Sequence, residues 1–247
     1  MNFIILTNGN DFCTKLLRNF KNLNHLKEVK IYIEFPLSLL SFRLKNEEKN
    51  LFLIIKLCYR LINRIGFLTK FIIENKSYWR QFKLIGSVNN RKTIQFIKSQ
   101  EIDVIFLAGM SILKKDILAS VKVGVYNCHP AIIPNVRGLD VVYHSVINLI
   151  PPIISIHRVD KGIDTGNLIQ AYKVPNKLIK KTNSYVEINE NILNFAAFKF
   201  HEFIIYYKMN LKEKNVDLSI MDLPILPYCK KVENKDLELF FKCLKKI

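Results

Sequence analysis

Short apolar runs separated by turn residues, alternating with longer stretches at helical spacing, run through most of the chain. Asn2 to Thr7 reads as a first buried strand and Asn8-Gly9-Asn10-Asp11 as its turn, with Asp11 or Thr14 capping a helix through Phe20. Val29 to Phe35 supplies a second strand, stopped by Pro36, which cannot donate to a ladder. Leu84-Ile85 with the loop to Asn90, a helix from Arg91 to Ser99 and the strand Asp103 to Leu107 repeat the alternation. Further on come a helix at Lys114 to Ser120, a strand at Val123 to His129, a helix at Leu139 to Asn148 and a strand at Ile153 to Arg158. This strand-helix order predicts an α/β, Rossmann-like, doubly wound and mostly parallel sheet flanked by helices.

Two regions depart from that rhythm. Within residues 38–79, Leu51, Ile54, Ile55, Leu57, Cys58, Leu61, Ile62, Ile65 and Leu68 form a wide apolar stripe, with Lys56, Arg60 and Arg64 recurring every four residues opposite it. A helix packed on the sheet satisfies that pattern. So does a helix lying on an anionic membrane surface, or a basic wall near a diphosphate. After Pro175, Ser184-Tyr185-Val186-Glu187 is a capping box opening a long aromatic helix to about Tyr207, and Lys235 to Ile247 forms a short amphipathic helix. The expected organisation is a main domain over 1–175, carrying the basic helical insertion 38–79, and a helical or mixed C-terminal extension over 176–247.

Composition narrows the class. With 247 residues and 49% hydrophobic content the chain can fill a sizeable core. Five cysteines without a CxxC spacing point to reduced thiols and a cytoplasmic setting. No signal peptide or spanning segment is expected, since the apolar start at Phe3 is only a strand's length and no apolar run reaches about 18 residues. The net charge of +17 fits solvated lysines and equally a field that draws in anionic substrates, nucleic acid or an acidic membrane. It selects none of them.

The candidate chemistry sits at the end of the Val123 strand. Strand side chains alternate, so Asn127 and His129 share a face while Cys128 points away as a buried thiol. Pro130 and Pro134 stop the strand, leaving the amide and imidazole exposed at its carboxyl end, where open α/β sheets bind ligands. Downstream, Asp160-Lys161-Gly162-Ile163-Asp164-Thr165-Gly166 forms a tight loop in which glycine supplies positive φ and Asp164 is the candidate carboxylate partner. An amide donor, an imidazole and a carboxylate suit acyl transfer, because an oxyanion needs donors and the attacking amine must lose a proton. His25, His144, His157 and His201 are left out of this chemistry, and no metal spacing is present.

Asn127-x-His129-Pro130, the Ile133-Pro134-x-x-Arg137-Gly138 turn and the Asp160-x-Gly162-x-Asp164-x-Gly166 loop, in this order, resemble the signature of the folate-dependent formyltransferases, most of all the sugar N-formyltransferases. The resemblance covers about the first three quarters of the chain. It implies 10-formyltetrahydrofolate as donor and Asn127, His129 and Asp164 as catalytic residues. It also implies donor contacts at Ala108, Gly109, Met110, Ser111 and Leu113, where small residues admit a flat heterocycle, and at Asp160, Lys161, Gly162 and Ile163. Pro134, Arg137 and Gly138 are its acceptor-binding residues. In relatives acting on glycinamide ribonucleotide, the turn after the first strand is longer, glycine-rich and holds the substrate phosphate; here only Gly9 remains. The extension is too short for the β-barrel domain of methionyl-tRNA formyltransferases, so the expected acceptor is a nucleotide-linked amino sugar rather than nucleic acid. Glycinamide ribonucleotide or another small amine stays as an alternative, as does a non-catalytic basic binding protein on the same fold. Homodimer formation and peripheral membrane contact stay open.

Overall fold

The computed structural model describes residues 2–22, 29–35, 51–180, 182–208 and 223–247. The strands are β1 (Phe3–Thr7), β2 (Lys30–Glu34), β3 (Phe82–Ile85), β4 (Val104–Ala108), β5 (Gly124–His129), β6 (Ile153–Arg158) and β7 (Leu168–Lys173). They form one seven-stranded sheet in the order β3-β2-β1-β4-β5-β6-β7. β1 pairs in parallel with β2 and β4, and β2 in parallel with β3. The other edge turns antiparallel at β5–β6 and β6–β7. Parallel strands covered on both faces read as continuous apolar runs, and β1 and β4 are buried at every residue.

The chain divides into two compact units, Met1–Val125 and Tyr126–Ile247. In the first, β1 leads through the Gly9 turn into the helix Asp11–Asn22. Its cap is Asn10 rather than Asp11 or Thr14: the Asn10 Oδ1 accepts from the Cys13 N–H at 3.0 Å, placing the helix start one residue before the acidic position. The helix of the insertion spans Leu51–Glu74. Leu68 and Phe71 are buried, and Phe71 stacks near Phe82 at 5.7 Å between ring centroids. Ile62 and Ile65 of the apolar stripe are exposed, which a helix packed on the sheet along its whole stripe would not leave. The Arg91–Ser99 helix has the expected bounds, capped by Asn90.

In the second unit the helix Tyr185–Lys208 begins where the capping box places it, with the Glu187 N–H bonded to Ser184 Oγ. The helix Leu237–Leu244 is capped by Asp236, and its Phe240 stacks with Tyr143, so the C-terminal segment packs on the Val141–Ile147 helix. Leu168 and Ile169 begin β7 directly after the Asp160 to Gly166 loop. The period of two in Leu168-Ile169-Gln170-Ala171 is weak, and it is pairing with β6 that makes it a strand. Cys13, Cys128, Cys229 and Cys243 are buried free thiols.

Candidate active site

Asn127 and His129 lie two apart on β5 and face the same way; Cys128 faces the opposite side, its thiol buried against the Ala196 carbonyl and its pKa raised by that burial. The strand ends at His129, as Pro130 requires. His129 is nevertheless buried rather than exposed. The chain after Pro130 folds back over the ring, through a cis Ile133-Pro134 bond, and brings the Val136 carbonyl to 3.2 Å from Nε2.

Antiparallel pairing then adds a residue that sequence reasoning left out. His157 lies directly across from Asn127 in the β5–β6 register, as Ser155 lies across from His129. The Asn127 Nδ2 is 3.2 Å from His157 Nε2, and the His157 Nδ1 is 3.1 Å from the Arg158 carbonyl. A carbonyl only accepts, so His157 carries its proton on Nδ1 and Nε2 accepts from the Asn127 amide. One amide hydrogen is thereby used for orientation and the other is left to donate. The signal was present in Ile153 to Arg158, where the polar Ser155 and His157 occupy alternate positions of an otherwise apolar strand. Ser155 Oγ accepts from the Ile133 N–H at 3.1 Å, tying the proline turn to β6.

The same reasoning fixes His129. With Nε2–H donated to Val136, the neutral ring turns the lone pair of Nδ1 towards Asp164 Oδ2, 3.6 Å away. That separation is too long for a hydrogen bond but short enough for an ion pair once Nδ1 is protonated. Asp164 Oδ1 also lies 3.8 Å from His157 Nε2, and Oδ2 accepts from the Gly138 N–H at 3.3 Å. Burial lowers the pKa of both histidines, outweighing the attraction of Asp164, so both are neutral near pH 7. The arrangement thus combines an oriented amide donor, a neutral imidazole able to accept one proton, and a carboxylate beside the position that proton would take.

The loop holding Asp164 is built differently from its sequence expectation. Asp164 itself adopts the left-handed conformation, with φ of 52°. Neither Gly162 nor Gly166 is needed for positive φ; both are needed for close approach. A Cβ on Gly166 would lie 1.7 Å from the Arg158 carbonyl oxygen, and one on Gly162 would lie 2.0 Å from Thr165 Oγ1. Asp160 accepts from Thr165 Oγ1 and the Gly162 N–H, bonds that also lower its pKa. Lys161 and Ile163 are exposed on the rim.

In the Pro134 turn, Gly138 has φ of 110° and forms a bridge with Cys229. Pro134 is exposed, and the Arg137 Nε is buried with no hydrogen-bond partner among the described residues. The stretch from Ala108 to Leu113 lies in the first unit. Ala108 is buried with its carbonyl bonded to Thr7 Oγ1, and the Gly109 carbonyl accepts from the Asn8 N–H. A Cβ on Gly109 would overlap the Asn10 amide, so the lack of a side chain at Gly109 makes room for Asn10. Ser111 Oγ bonds to buried Glu34, Leu113 is buried, and Met110 and Ile112 retain accessible surface.

The family model described as formyl transferase matches residues 70–199, just over half of the chain. The chain belongs to the formyl transferase family. Among curated relatives, the methionyl-tRNA formyltransferase of Thermotoga maritima is 22% identical over 157 residues, covering 63% of this chain and 48% of that protein. The chain therefore spans about half the length of the curated relatives it matches. Glycinamide ribonucleotide transformylase 1 from Symbiobacterium toebii superposes with a TM-score of 0.58 at 12% identity, covering 87% of this chain and 92% of the other. The N-formyltransferase from Helicobacter canadensis, in complex with folinic acid and dTDP-3-aminofucose, superposes with a TM-score of 0.52 at 17% identity, covering 97% of this chain and 78% of the other. These likenesses place the seven-stranded sheet in the fold of the family.

Proposed function

We propose that this formyl transferase family member moves a formyl group from 10-formyltetrahydrofolate to the amino group of a nucleotide-linked amino sugar. The observation that carries the reading is the pairing of Asn127 with His157, which leaves one amide hydrogen free, beside a neutral His129 facing Asp164. Asn127 donates to the acyl oxygen as negative charge develops there, His129 accepts the proton of the attacking amine on Nδ1, and Asp164 stabilises the resulting imidazolium until its proton passes to the leaving nitrogen of the donor as that nitrogen's bond to the formyl carbon breaks. When bound, the donor supplies the activated formyl group. Ala108, Gly109, Met110, Ser111, Leu113 and Asp160 to Ile163 are proposed as its contacts.

Two observations favour an amino sugar as acceptor. The Helicobacter canadensis protein, which matches nearly the whole chain, holds a nucleotide-linked amino sugar together with a reduced folate. The turn at Gly9, whose counterpart holds phosphate in the relatives acting on glycinamide ribonucleotide, is covered here by Leu68 and Phe71, 3.1 and 3.4 Å from the position a Cβ on Gly9 would take. An apolar cover cannot replace the water around a phosphate. Arg137 and Gly138 are proposed to meet the acceptor, with residues 176–247 as support for the 1–175 segment. The buried free thiols support a cytoplasmic setting. The test incubates the protein with 10-formyltetrahydrofolate and a panel of nucleotide-linked amino sugars, with glycinamide ribonucleotide as comparator, and reads product mass. A gain of one formyl group on a sugar is expected; formylation of the ribonucleotide alone would overturn the assignment.

A further inference from the structure

We propose that the helix Leu51–Glu74 and the turn after it form a docking surface for an anionic membrane. Among the described residues, the buried positions of this helix lie towards its C-terminal end. Leu68, Phe71 and Asn75 are buried, whereas every described residue from 59 to 67 is exposed. Along the helix, Leu51, Ile55, Cys58, Ile62, Ile65 and Ile72 recur at intervals of three, four or seven, the period of one helix face, and of these Ile62 and Ile65 are exposed. Tyr59, Ile62, Ile73 and Trp79 are 63 to 69% exposed. Isolated apolar residues on a surface need no explanation, but several large ones on a single helix and its adjoining turn mark an interaction site.

Charge decides the occupant. The segment from Leu51 to Gln81 carries Lys56, Arg60, Arg64, Lys70, Lys76 and Arg80 against Glu74 alone, within a chain of net charge +17. A second copy would bring the same positive segment against itself, whereas anionic headgroups complement it. Apolar residues on one face, lysine and arginine on the other, and tyrosine and tryptophan along the exposed surface are the composition of a helix lying in the plane of a bilayer interface. Among the described residues no helix is long and apolar enough to cross a membrane, so the contact is peripheral. It is separate from the chemistry assigned to Asn127, His129 and Asp164 and does not depend on it.

Trp79 is the only tryptophan of the chain and therefore reports on this segment alone. The full chain is mixed with phosphatidylcholine vesicles, with and without phosphatidylglycerol, and followed by co-sedimentation and Trp79 emission. Binding with a blue shift is expected for the anionic vesicles only, weakening as salt is raised. The double change Ile62→Glu and Ile65→Glu should weaken it on the order of tenfold. Should that variant misfold by circular dichroism, the triple change Lys56→Glu, Arg60→Glu and Arg64→Glu provides the same test through charge. No binding, or equal binding to neutral vesicles, overturns the proposal. So does self-association of the wild type that Ile62→Glu abolishes while vesicles remain unbound, since the face would then belong to a second copy.

Discussion

At the scale of single residues, the amide of Asn127 cannot be considered apart from the tautomer of His157. Truncating Asn127 removes a donor to developing charge, and Asn127→Ala should lower kcat by about 100-fold or more, in line with the ~3 kcal/mol of other oxyanion donors. His157→Ala removes only the partner that orients the amide, so its loss should be smaller. Combined with Asn127→Ala it should add almost nothing, and steady-state kinetics of the two singles and the double measure that coupling directly. A full multiplicative loss would mean that His157 acts by another route. Burial lowers the pKa of His129 and His157 below the ordinary histidine value of about 6.5. In that window the unfolded chain binds more protons than the native one, so stability is complete above about pH 6.5 and falls as pH drops towards the depressed native values. The thermal midpoint should therefore decline on mild acidification, and less steeply in His157→Gln. The acid limb of kcat/KM should likewise lie below about pH 6.5, because His129 must be neutral to accept a proton.

At the scale of elements, the loop from Asp160 to Gly166 is held by close packing more than by turn conformation. Gly166→Ala places a methyl group inside contact distance of the Arg158 carbonyl, so the loop must shift; a cost of about 1 to 3 kcal/mol is expected in urea unfolding, with a larger loss of turnover as Asp164 moves. The helix Leu51–Glu74 makes the opposite case. Charge reversal at Lys56, Arg60 and Arg64 should leave kcat at saturating substrate within about twofold, because none of the three is assigned a part in the chemistry. These two elements also show what could be read in advance. Strands β1, β5 and β6 were legible because buried parallel or central strands are near-continuous apolar runs between prolines and glycines. Asn127, His129 and Asp164 could be singled out as candidates because three motifs fell in a known order. His157 was not, since its role depends on antiparallel register across the 23 residues between His129 and Ile153, which no local pattern encodes. The burial of His129 was missed for a related reason: its cover is the returning Val136 carbonyl. The alternatives for the stripe containing Ile62 and Ile65 stayed open because periodicity locates an apolar face but says nothing of what covers it.

At the scale of the whole molecule, a net charge of +17 bears on both proposals, since a nucleotide diphosphate and an anionic bilayer are each drawn by the same field. Salt should therefore raise KM for the sugar nucleotide and weaken vesicle binding, while kcat stays constant because burial shields the His129–Asp164 pair from screening. Donor binding can be separated from all of this with 5-formyltetrahydrofolate, an isomer of the proposed donor that does not transfer its formyl group. If it binds only the native state, saturation at about 100 times Kd stabilises the fold by ~2.7 kcal/mol, which a thermal scan resolves as a rise of several degrees. The shift should survive in Asn127→Ala and His129→Ala, since these residues are assigned to the reacting atoms and not to the folate. It should shrink in Ile163→Asp, which places a charge on the exposed apolar rim proposed for the donor. A wild-type protein with no shift, by either thermal scan or calorimetry, would remove reduced folate from the mechanism while leaving the geometry of Asn127, His129, His157 and Asp164 to be matched to another acyl donor.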